Sequence, residues 1–386
     1  MSAQTGEQVK LVRAYLKHMV ENKGSDLHIK AGSVFRARIQ GSIKKLGKDI
    51  FTKEDADAFA RDFLGERYEE FVETKEMDTV YPFDEFTRFR VNMFFQMDGI
   101  SAVFRVIPVE IPKLDDLNLP DVIKDFAQIE RGLVLVTGVT GSGKSTTLAA
   151  IVNEVNATRH KHIITIEDPI EFVHRDNNCV INQRSVGQDT LSFGAALKSA
   201  LREDPDIILV GEMRDIETIN LALHAADTGH LVFSTLHTID AKETINRIIS
   251  TFPTEEQNRV RLSLSGVIQG IVSQRLVKTV DGGRRAAMEI LVRTATIEKL
   301  IMENRDFEIK DAIEKGKSHY KSQSFDQALL DLYNEGVISK EQAKEHATSA
   351  SDLELKMSGL NSGVSGETPS GSAPSVEDED VFDLKS

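Results

Sequence analysis

The chain has 386 residues, of which 40% are hydrophobic and 28% are charged, and its formal net charge at pH 7 is −14. This composition predicts a globular protein of about two or three domains with enough apolar residues for a sizeable core. The acidic balance argues against a general nucleic-acid binder, which would carry a basic excess, and the single cysteine excludes an intrachain disulfide.

The sequence offers no obvious segment for export or for insertion into a membrane. The first ten residues, MSAQTGEQVK, lack the apolar core of a secretory signal. The longest apolar runs are far shorter than the roughly 20 residues that a spanning helix needs. We therefore expect no direct membrane insertion.

Residues 1–108 predict a small α+β domain. Apolar residues recur at helical spacing over 9–23, and short alternating runs that are typical of strands follow. A second helix is expected after Thr52, which suits the N-cap position and precedes acidic residues. The stretch 88–108 predicts a β-hairpin with its turn at 97–99.

A proline-rich stretch follows, and we expect an interdomain linker at 109–120 because each proline holds itself and its predecessor in extended geometry. Residues 121–357 then contain continuous apolar runs bounded by polar turns. The runs are 132–138, 162–168, 206–212 and 230–237, with helical segments between them at 145–156, 192–203 and 215–227. Such runs predict strands buried on both faces, hence a parallel sheet covered by helices. Further helices are expected after them, to about residue 347.

The last segment, 358–386, is rich in glycine, serine and proline and then becomes acidic. Six acidic residues stand against one lysine, and so polar a segment cannot bury enough apolar surface to order itself. We therefore predict a disordered acidic tail. Its terminal VFDL could be a short docking motif, and a passive solubilising tail is the simpler alternative.

The stretch GVTGSGKS, residues 138–145, fits the phosphate-loop pattern G-x-x-x-x-G-K-[ST] between a predicted strand and a predicted helix. Glycines let the backbone curl so that its N–H groups point at phosphate oxygens, and the helix N-terminus adds its positive end. Lys144 would reach the β- and γ-phosphates, and Ser145 would ligate Mg²⁺. The predicted nucleotide-binding residues are Gly138, Thr140, Gly141, Ser142, Gly143, Lys144, Ser145 and Thr146. The sequence therefore predicts that the chain binds a nucleoside triphosphate.

Acidic residues follow two of the apolar runs, at the sheet edge where open α/β folds bind ligands. Phosphoryl transfer needs a carboxylate for Mg²⁺, which we expect on a buried strand beside the loop strand, and a positioned water. HIITIED and DIILVGE both qualify, and the sequence does not rank them. If the second run holds the metal, Glu212 binds it directly or through water, and Glu171, beyond the turn at Pro169, is free to face the γ-phosphate. The candidate metal ligands are Ser145, Glu167, Asp168 and Glu212.

Two histidines, His230 and His237, bracket one apolar run in TGHLVFSTLH. They are candidate phosphate sensors, able to donate to the γ-phosphate or to a carboxylate. A shared metal site is the weaker alternative, because the two would lie about 20 Å apart along a strand.

Together these motifs resemble the secretion-ATPase superfamily and, within it, the type IV pilus retraction ATPase family (PilT-like). The resemblance covers residues 20 to about 350. Its signatures are GSDLHI near the N-terminus, GVTGSGKSTTLAA as Walker A, TIEDPIEFVH as the aspartate box, LREDPDIILVGEMRD as Walker B and TGHLVFSTLHT as the histidine box. The family fold is an N-terminal PAS-like α+β domain followed by a RecA-like P-loop ATPase core, so an α/β protein is expected.

The resemblance also implies residue roles, cofactors and partners. The resemblance implies that ATP and Mg²⁺ bind between the two domains of each subunit in a homohexamer. The implied catalytic residues are Glu171 as general base, Glu212 of Walker B, His230 and His237 of the histidine box, and the N-terminal-domain arginines Arg88, Arg90 and Arg105. The implied function is ATP hydrolysis that drives pilus retraction and twitching motility. The implied location is cytoplasmic, at the inner-membrane pilus base, with a pilus platform protein as partner.

The sequence departs from the retraction family in its C-terminal part. The family motif AIRNLIRE aligns with ATIEKLIMEN at 295–304, where Glu298 and Met302 replace arginines. The stretch 332–357 instead resembles the accessory retraction paralogue (PilU-like). Four hypotheses follow: a principal retraction motor, an accessory ring that binds a paralogous motor, a pilus-extension or type II secretion ATPase, and a nucleic-acid translocase. The composition and the short N-terminal region disfavour the last two.

Overall fold

The structure is a computed structural model that describes residues 6–84, 87–107 and 110–358. The tail predicted for 358–386 lies outside the described residues except for Ser358, and so do the first five residues and the start of the predicted linker. The described chain forms two sheets, one before and one after the linker.

The first sheet has six strands and carries its helices on one face. Its elements are α1 (Glu7–Glu21), β1 (Gly24–Lys30), β2 (Ser33–Ile39), β3 (Ser42–Phe51), α2 (Lys53–Leu64), α3 (Tyr68–Thr74), β4 (Glu76–Pro82), β5 (Arg88–Gln96) and β6 (Gly99–Ile107). The strand order is β3-β2-β1-β6-β5-β4, and every neighbouring pair is antiparallel. Phe59, Phe71, Phe89 and Phe104 are fully buried between the sheet and the helices.

Local sequence signals of this domain are confirmed. Thr52 caps α2 in a reciprocal capping box, in which Asp55 N–H donates to Thr52 Oγ1 at 3.1 Å and Thr52 N–H donates to the Asp55 carboxylate at 3.0 Å. The predicted hairpin is β5–β6, closed by the pair Gln96 and Gly99.

The second sheet has seven strands and lies between two helical layers. Its elements are α4 (Val122–Ala127), β7 (Gly132–Thr137), α5 (Lys144–Thr158), β8 (His162–Glu167), β9 (Val180–Ser185), α6 (Phe193–Ala200), β10 (Ile207–Val210), α7 (Ile216–Asp227), β11 (Leu231–Leu236), α8 (Ala241–Ser250), α9 (Thr254–Val267), β12 (Ile268–Lys278), β13 (Arg284–Val292), α10 (Ala295–Met302), α11 (Ile309–Lys315), α12 (Lys317–Tyr320), α13 (Phe325–Asn334), α14 (Lys340–His346) and α15 (Ala350–Met357). The order is β13-β12-β7-β11-β10-β8-β9, and only β13 runs antiparallel.

The four predicted buried strands are confirmed as β7, β8, β10 and β11, and the parallel sheet with them. Helices α4 and α5 cover one face, α6 to α10 cover the other, and α13 to α15 pack on the end formed by β12 and β13. The expectation of further helices after the histidine pair was incomplete, because β12 and β13 lie there. Polar residues interrupt β12 at 273–275, so it lacks the continuous apolar pattern that identified its neighbours.

None of the described helices is both long and apolar enough to cross a membrane.

Candidate functional site

A cleft of about 440 Å³ lies at the carboxyl edge of the second sheet. The strands β7, β11, β10 and β8 run parallel and end at this edge, so the loops that follow them meet there. Arg284, at the start of β13, also lines the cleft. The phosphate loop and the acidic cluster at 167–171 both contribute walls, so the fold brings together the two motifs that the sequence singled out.

Six of the predicted nucleotide-binding residues line this cleft, namely Thr140, Gly141, Gly143, Lys144, Ser145 and Thr146. Gly138 and Ser142 lie behind them, against β12. A Cβ on Gly138 would come within 2.5 Å of the Gln274 carbonyl oxygen, so only glycine fits there. Gly143 adopts φ +92°, a conformation that L side chains rarely take. The glycines therefore let the loop curl closely against β12.

Lys144 is buried and folds back along the phosphate loop. Its Nζ donates to the carbonyl oxygens of Gly138 at 2.8 Å and Val139 at 3.1 Å. Burial lowers the pKa of Lys144, and the carboxylates of Glu212 and Glu171 oppose that shift. The ammonium group thus lies in the field of both carboxylates that the sequence assigned to catalysis.

Glu212 follows β10 and sits among cationic and titratable groups. Its Oε2 lies 2.7 Å from Nη2 of Arg214 and 3.5 Å from Nε2 of His237. The expected adjacency of its strand to the loop strand is wrong, because β11 lies between β10 and β7. The site still assembles because β11 ends beside it, where the Thr235 hydroxyl donates to the Gly211 carbonyl at 2.6 Å.

Glu167 uses both carboxylate oxygens within its own loop. Its Oε1 accepts from the Thr165 hydroxyl at 2.7 Å and from Gln183 Nε2 at 3.3 Å, and its Oε2 accepts from the Glu171 backbone N–H at 3.2 Å. Burial raises its pKa in spite of these donors. Although Glu167 and Asp168 both line the cleft, Glu167 is already engaged in shaping the turn that carries Glu171.

The acidic loop is further held by Gln183 from β9. Its Nε2 donates to the Phe172 carbonyl at 2.8 Å, and its Oε1 accepts from the His174 backbone N–H at 2.7 Å. Burial lowers the pKa of the His174 side chain to about 4, so that imidazole is neutral at physiological pH. Glu171 therefore projects into the cleft from a turn fixed at both ends.

The two histidines lie at opposite ends of β11. His237 follows the strand and lines the cleft beside Glu212. His230 precedes the strand, and its Nδ1 lies 3.0 Å from the Ala225 carbonyl oxygen at the other edge of the sheet. The structure places His237 at the phosphate-loop edge and His230 at the opposite edge of the sheet of its own chain, and the sensor role of His230 stays a prediction.

The three predicted arginines lie on the first sheet and do not line this cleft. Arg105 Nε donates to the buried Asp26 carboxylate at 2.7 Å, and Arg90 Nε lies 3.9 Å from Asp78. Arg88 is exposed at the start of β5. The arginines that do line the cleft are Arg214 and Arg284, and neither was predicted.

Two glutamines that hold the site together were also missed. Gln183 anchors the acidic loop, and Gln274 on β12 contacts the phosphate loop and α5. For Gln274 the available signal was the polar stretch 273–275 within a largely apolar strand. β9 is polar over 182–185, so its sequence did not single out Gln183.

Comparison with known proteins places this site in a family. Residues 74–343 match the family described as "Type II/IV secretion system protein". The chain is 48% identical over 327 residues to the "Type IV pilus retractation ATPase PilT" of Pseudomonas aeruginosa, covering 84% of this chain and 94% of the relative. It is 41% identical to the "Type IV pilus ATPase PilU" of the same organism, covering 88% and 89%.

A solved structure leads to the same conclusion. The crystal structure of the pilus retraction motor PilT with bound ADP matches with a TM-score of 0.82 and 42% identity, covering 89% of this chain and 98% of that chain. The resemblance drawn from the motifs is thus confirmed, and so is a mixed α/β fold with an N-terminal sheet domain and an ATPase core. The chain belongs to the type II/IV secretion system protein family and, within it, to the PilT-like pilus retraction ATPases.

Proposed function

We propose that this protein is a motor that hydrolyses ATP to drive type IV pilus retraction and hence twitching motility. The observation that carries the proposal is the convergence of Lys144, Glu171, Glu212 and His237 on one cleft beside a phosphate loop. The likeness to relatives named as pilus retraction ATPases supplies the task that the hydrolysis serves.

The cleft fits a nucleoside triphosphate and Mg²⁺. Loop N–H groups and Lys144 suit the phosphates, since the Lys144 ammonium bonds to the loop carbonyls of Gly138 and Val139 and can exchange them for phosphate oxygens. Mg²⁺ needs only one or two protein ligands when phosphates and waters complete its octahedron. Ser145 and Glu212 are our proposed ligands, and Asp168 is a further candidate at the rim. Bound Mg²⁺ would neutralise charge that develops on the phosphates.

The catalytic roles follow from what each side chain contacts. Glu171 orients the attacking water and takes its proton, because the fixed turn leaves its carboxylate facing the cleft. Arg214 and His237 both contact Oε2 of Glu212 and hold its carboxylate in place. Since His237 reaches Glu212 from the end of β11, it is also placed to report the presence of a γ-phosphate.

The first domain is proposed to be PAS-like, with domain limits at 1–108, 109–120 and 121–357. Arg88, Arg90 and Arg105 project from the exposed side of its sheet. We propose that they meet the nucleotide when the two domains close within a homohexamer. The ring would act at the cytoplasmic side of the inner membrane on a pilus platform protein.

An accessory role beside a paralogous motor is the second candidate, and helix α10 favours it. The helix buries Ile297, Leu300 and Ile301, while Glu298 and Met302 face outward. Glu298 pairs with Arg293 at 2.9 Å, and Met302 is 47% exposed. The two substitutions for arginine thus change the surface of α10 and leave its packing intact. A change of binding partner would require a change at such a surface.

ATP hydrolysis by the purified full chain tests the proposed activity. The Glu171→Gln variant should bind ATP with near-normal affinity and hydrolyse it at least about a hundredfold more slowly, because loss of a general base typically costs that much. Exposed Glu335→Gln is the matched control. Near-normal turnover by Glu171→Gln would refute the assignment of Glu171 as the general base.

A further inference from the structure

Gln274 is a buried polar side chain with no role in the proposed chemistry. It lies on β12, is 2% exposed, and faces the phosphate loop. Its Nε2 donates to the Ser142 carbonyl at 2.9 Å, and its Oε1 accepts from the Thr147 hydroxyl at 3.0 Å. One amide therefore joins the phosphate loop to the first turn of α5.

The orientation of this amide is fixed by its partners. The Thr147 side chain is 1% exposed, and its hydroxyl donates to Gln274 Oε1. Because the Ser142 carbonyl oxygen can only accept, the amide N–H of Gln274 must face it, and the amide oxygen is left to accept from the Thr147 hydroxyl. Gly143 is required for this approach, since a Cβ there would lie 2.8 Å from Gln274 Nε2.

Holding the Ser142 carbonyl also fixes a neighbouring donor. The carbonyl of Ser142 and the N–H of Gly143 belong to one planar trans peptide, in which they point in opposite directions. With the carbonyl turned toward Gln274, the Gly143 N–H must point away from β12. Gly143 itself lines the cleft, whereas Ser142 is buried behind it.

We propose that Gln274 is the positioning residue of the phosphate loop, because its hydrogen bond to Ser142 keeps the Gly143 N–H turned toward bound phosphate. The inference rests on the proposed nucleotide binding and adds a residue that supports it. Without the bond, the 142–143 peptide can rotate more easily, since glycine at 143 accepts positive and negative φ about equally well. In part of the population the Gly143 N–H would then no longer donate a hydrogen bond to the phosphate. The affinity for nucleotide would fall in proportion to that fraction.

Two substitutions separate the hydrogen bond from packing. Gln274→Glu keeps the shape and the acceptor for Thr147 but removes the donor to Ser142. Gln274→Met keeps the length and removes both polar atoms. Gln269→Glu makes the same chemical change at the other end of β12 and is the matched control.

The experiment is calorimetric titration of the purified full chain with ADP and Mg²⁺, together with steady-state ATPase kinetics and thermal melting. We expect both Gln274 variants to weaken ADP binding about tenfold or more and to raise KM for ATP, with kcat at saturating ATP within about threefold of wild type. Gln269→Glu should bind ADP as wild type does.

The outcomes distinguish this inference from the proposed function. If the wild-type chain does not bind ADP, the proposed function fails. If it binds ADP and both Gln274 variants bind it equally well, the inference is overturned. A loss of affinity that appears only together with a comparable fall in kcat and in the melting temperature would indicate a merely structural role and would also overturn it.

Discussion

Glu289 offers the sharpest prediction about stability. Its carboxyl group is 5% exposed on β13 and accepts a hydrogen bond from the Ala241 backbone N–H at 2.9 Å, at the start of α8. Burial raises its pKa to about 7, with Asp240 adding to the shift and Arg275 opposing it. Lys310 also opposes the shift, from α11.

The sign of the pH dependence follows from proton binding. Between pH 4.5 and about 7 the folded chain holds a proton on Glu289 that the unfolded chain has lost. The stabilisation from Glu289 is therefore fully present below the pKa of the unfolded chain, 4.5, and is lost as the pH rises to the pKa of the folded chain, about 7. At about 1.4 kcal/mol for each pH unit, the contribution is about 3 kcal/mol.

The assay compares wild type with Glu289→Gln, which mimics the protonated form. Thermal melting is measured at pH 5.0 and pH 7.5 for both chains. The melting temperature of wild type should fall relative to that of the variant by about 6 °C between the two pH values. The exposed Glu335→Gln substitution should give no such relative change. If wild type and Glu289→Gln show the same pH dependence, the assignment of a protonated buried carboxyl is refuted.

Two further predictions concern a buried ion pair and the hydrogen bonds that hold the acidic loop. Asp306→Asn should lower the free energy of unfolding by about 3–5 kcal/mol, because the buried Arg261 guanidinium, 2.7 Å from Asp306, would lose its counter-charge; denaturant unfolding measures it. Glu256→Gln, which breaks the surface pair with Arg259, should lower the free energy of unfolding by less than about 1 kcal/mol. A loss equal to that of Asp306→Asn would contradict the reasoning. Gln183→Leu should lower kcat about tenfold or more while ADP affinity stays within about threefold, because it frees the turn that carries Glu171, the proposed general base. An unchanged kcat would show that Gln183 does not hold that turn.

Much of the second domain could be predicted because its signals are local. A phosphate loop needs its glycines, its lysine and its strand–helix context within a few residues, and all of them stand in 132–158. The strands β7 and β11 are buried at every position and mostly apolar, so their apolar runs identified them without knowledge of their neighbours.

The missed features depend on which strands become neighbours. β12 lies beside β7 and far from it in sequence, so nothing local marked Gln274 as a partner of the phosphate loop. Arg284 reaches the cleft for the same reason, since β13 is placed by its pairing with β12. The order β7-β11-β10 also could not be derived from runs that look alike.

For the histidine pair, the sequence predicted the strand between them but not which of the two lies at the cleft. The spacing of His230 and His237 correctly indicated that they flank one strand, and the structure places His237 at the cleft and His230 at the opposite edge of the sheet. The roles of the three N-terminal-domain arginines could not be predicted from the residues themselves. They were assigned by resemblance, and they lie on a sheet whose acids, Asp26 and Asp78, pair with two of them.

The central claim is that ATP hydrolysis in this cleft drives pilus retraction, and the most direct test is the number of surface pili in a strain that lacks this protein. The account predicts surplus surface pili and loss of twitching in the deletion strain, restored by the wild-type chain and not by Glu171→Gln. Absent pili in the deletion strain would indicate extension in place of retraction and would contradict the account. Restoration by Glu171→Gln would equally contradict it, because retraction would then not depend on hydrolysis at this site.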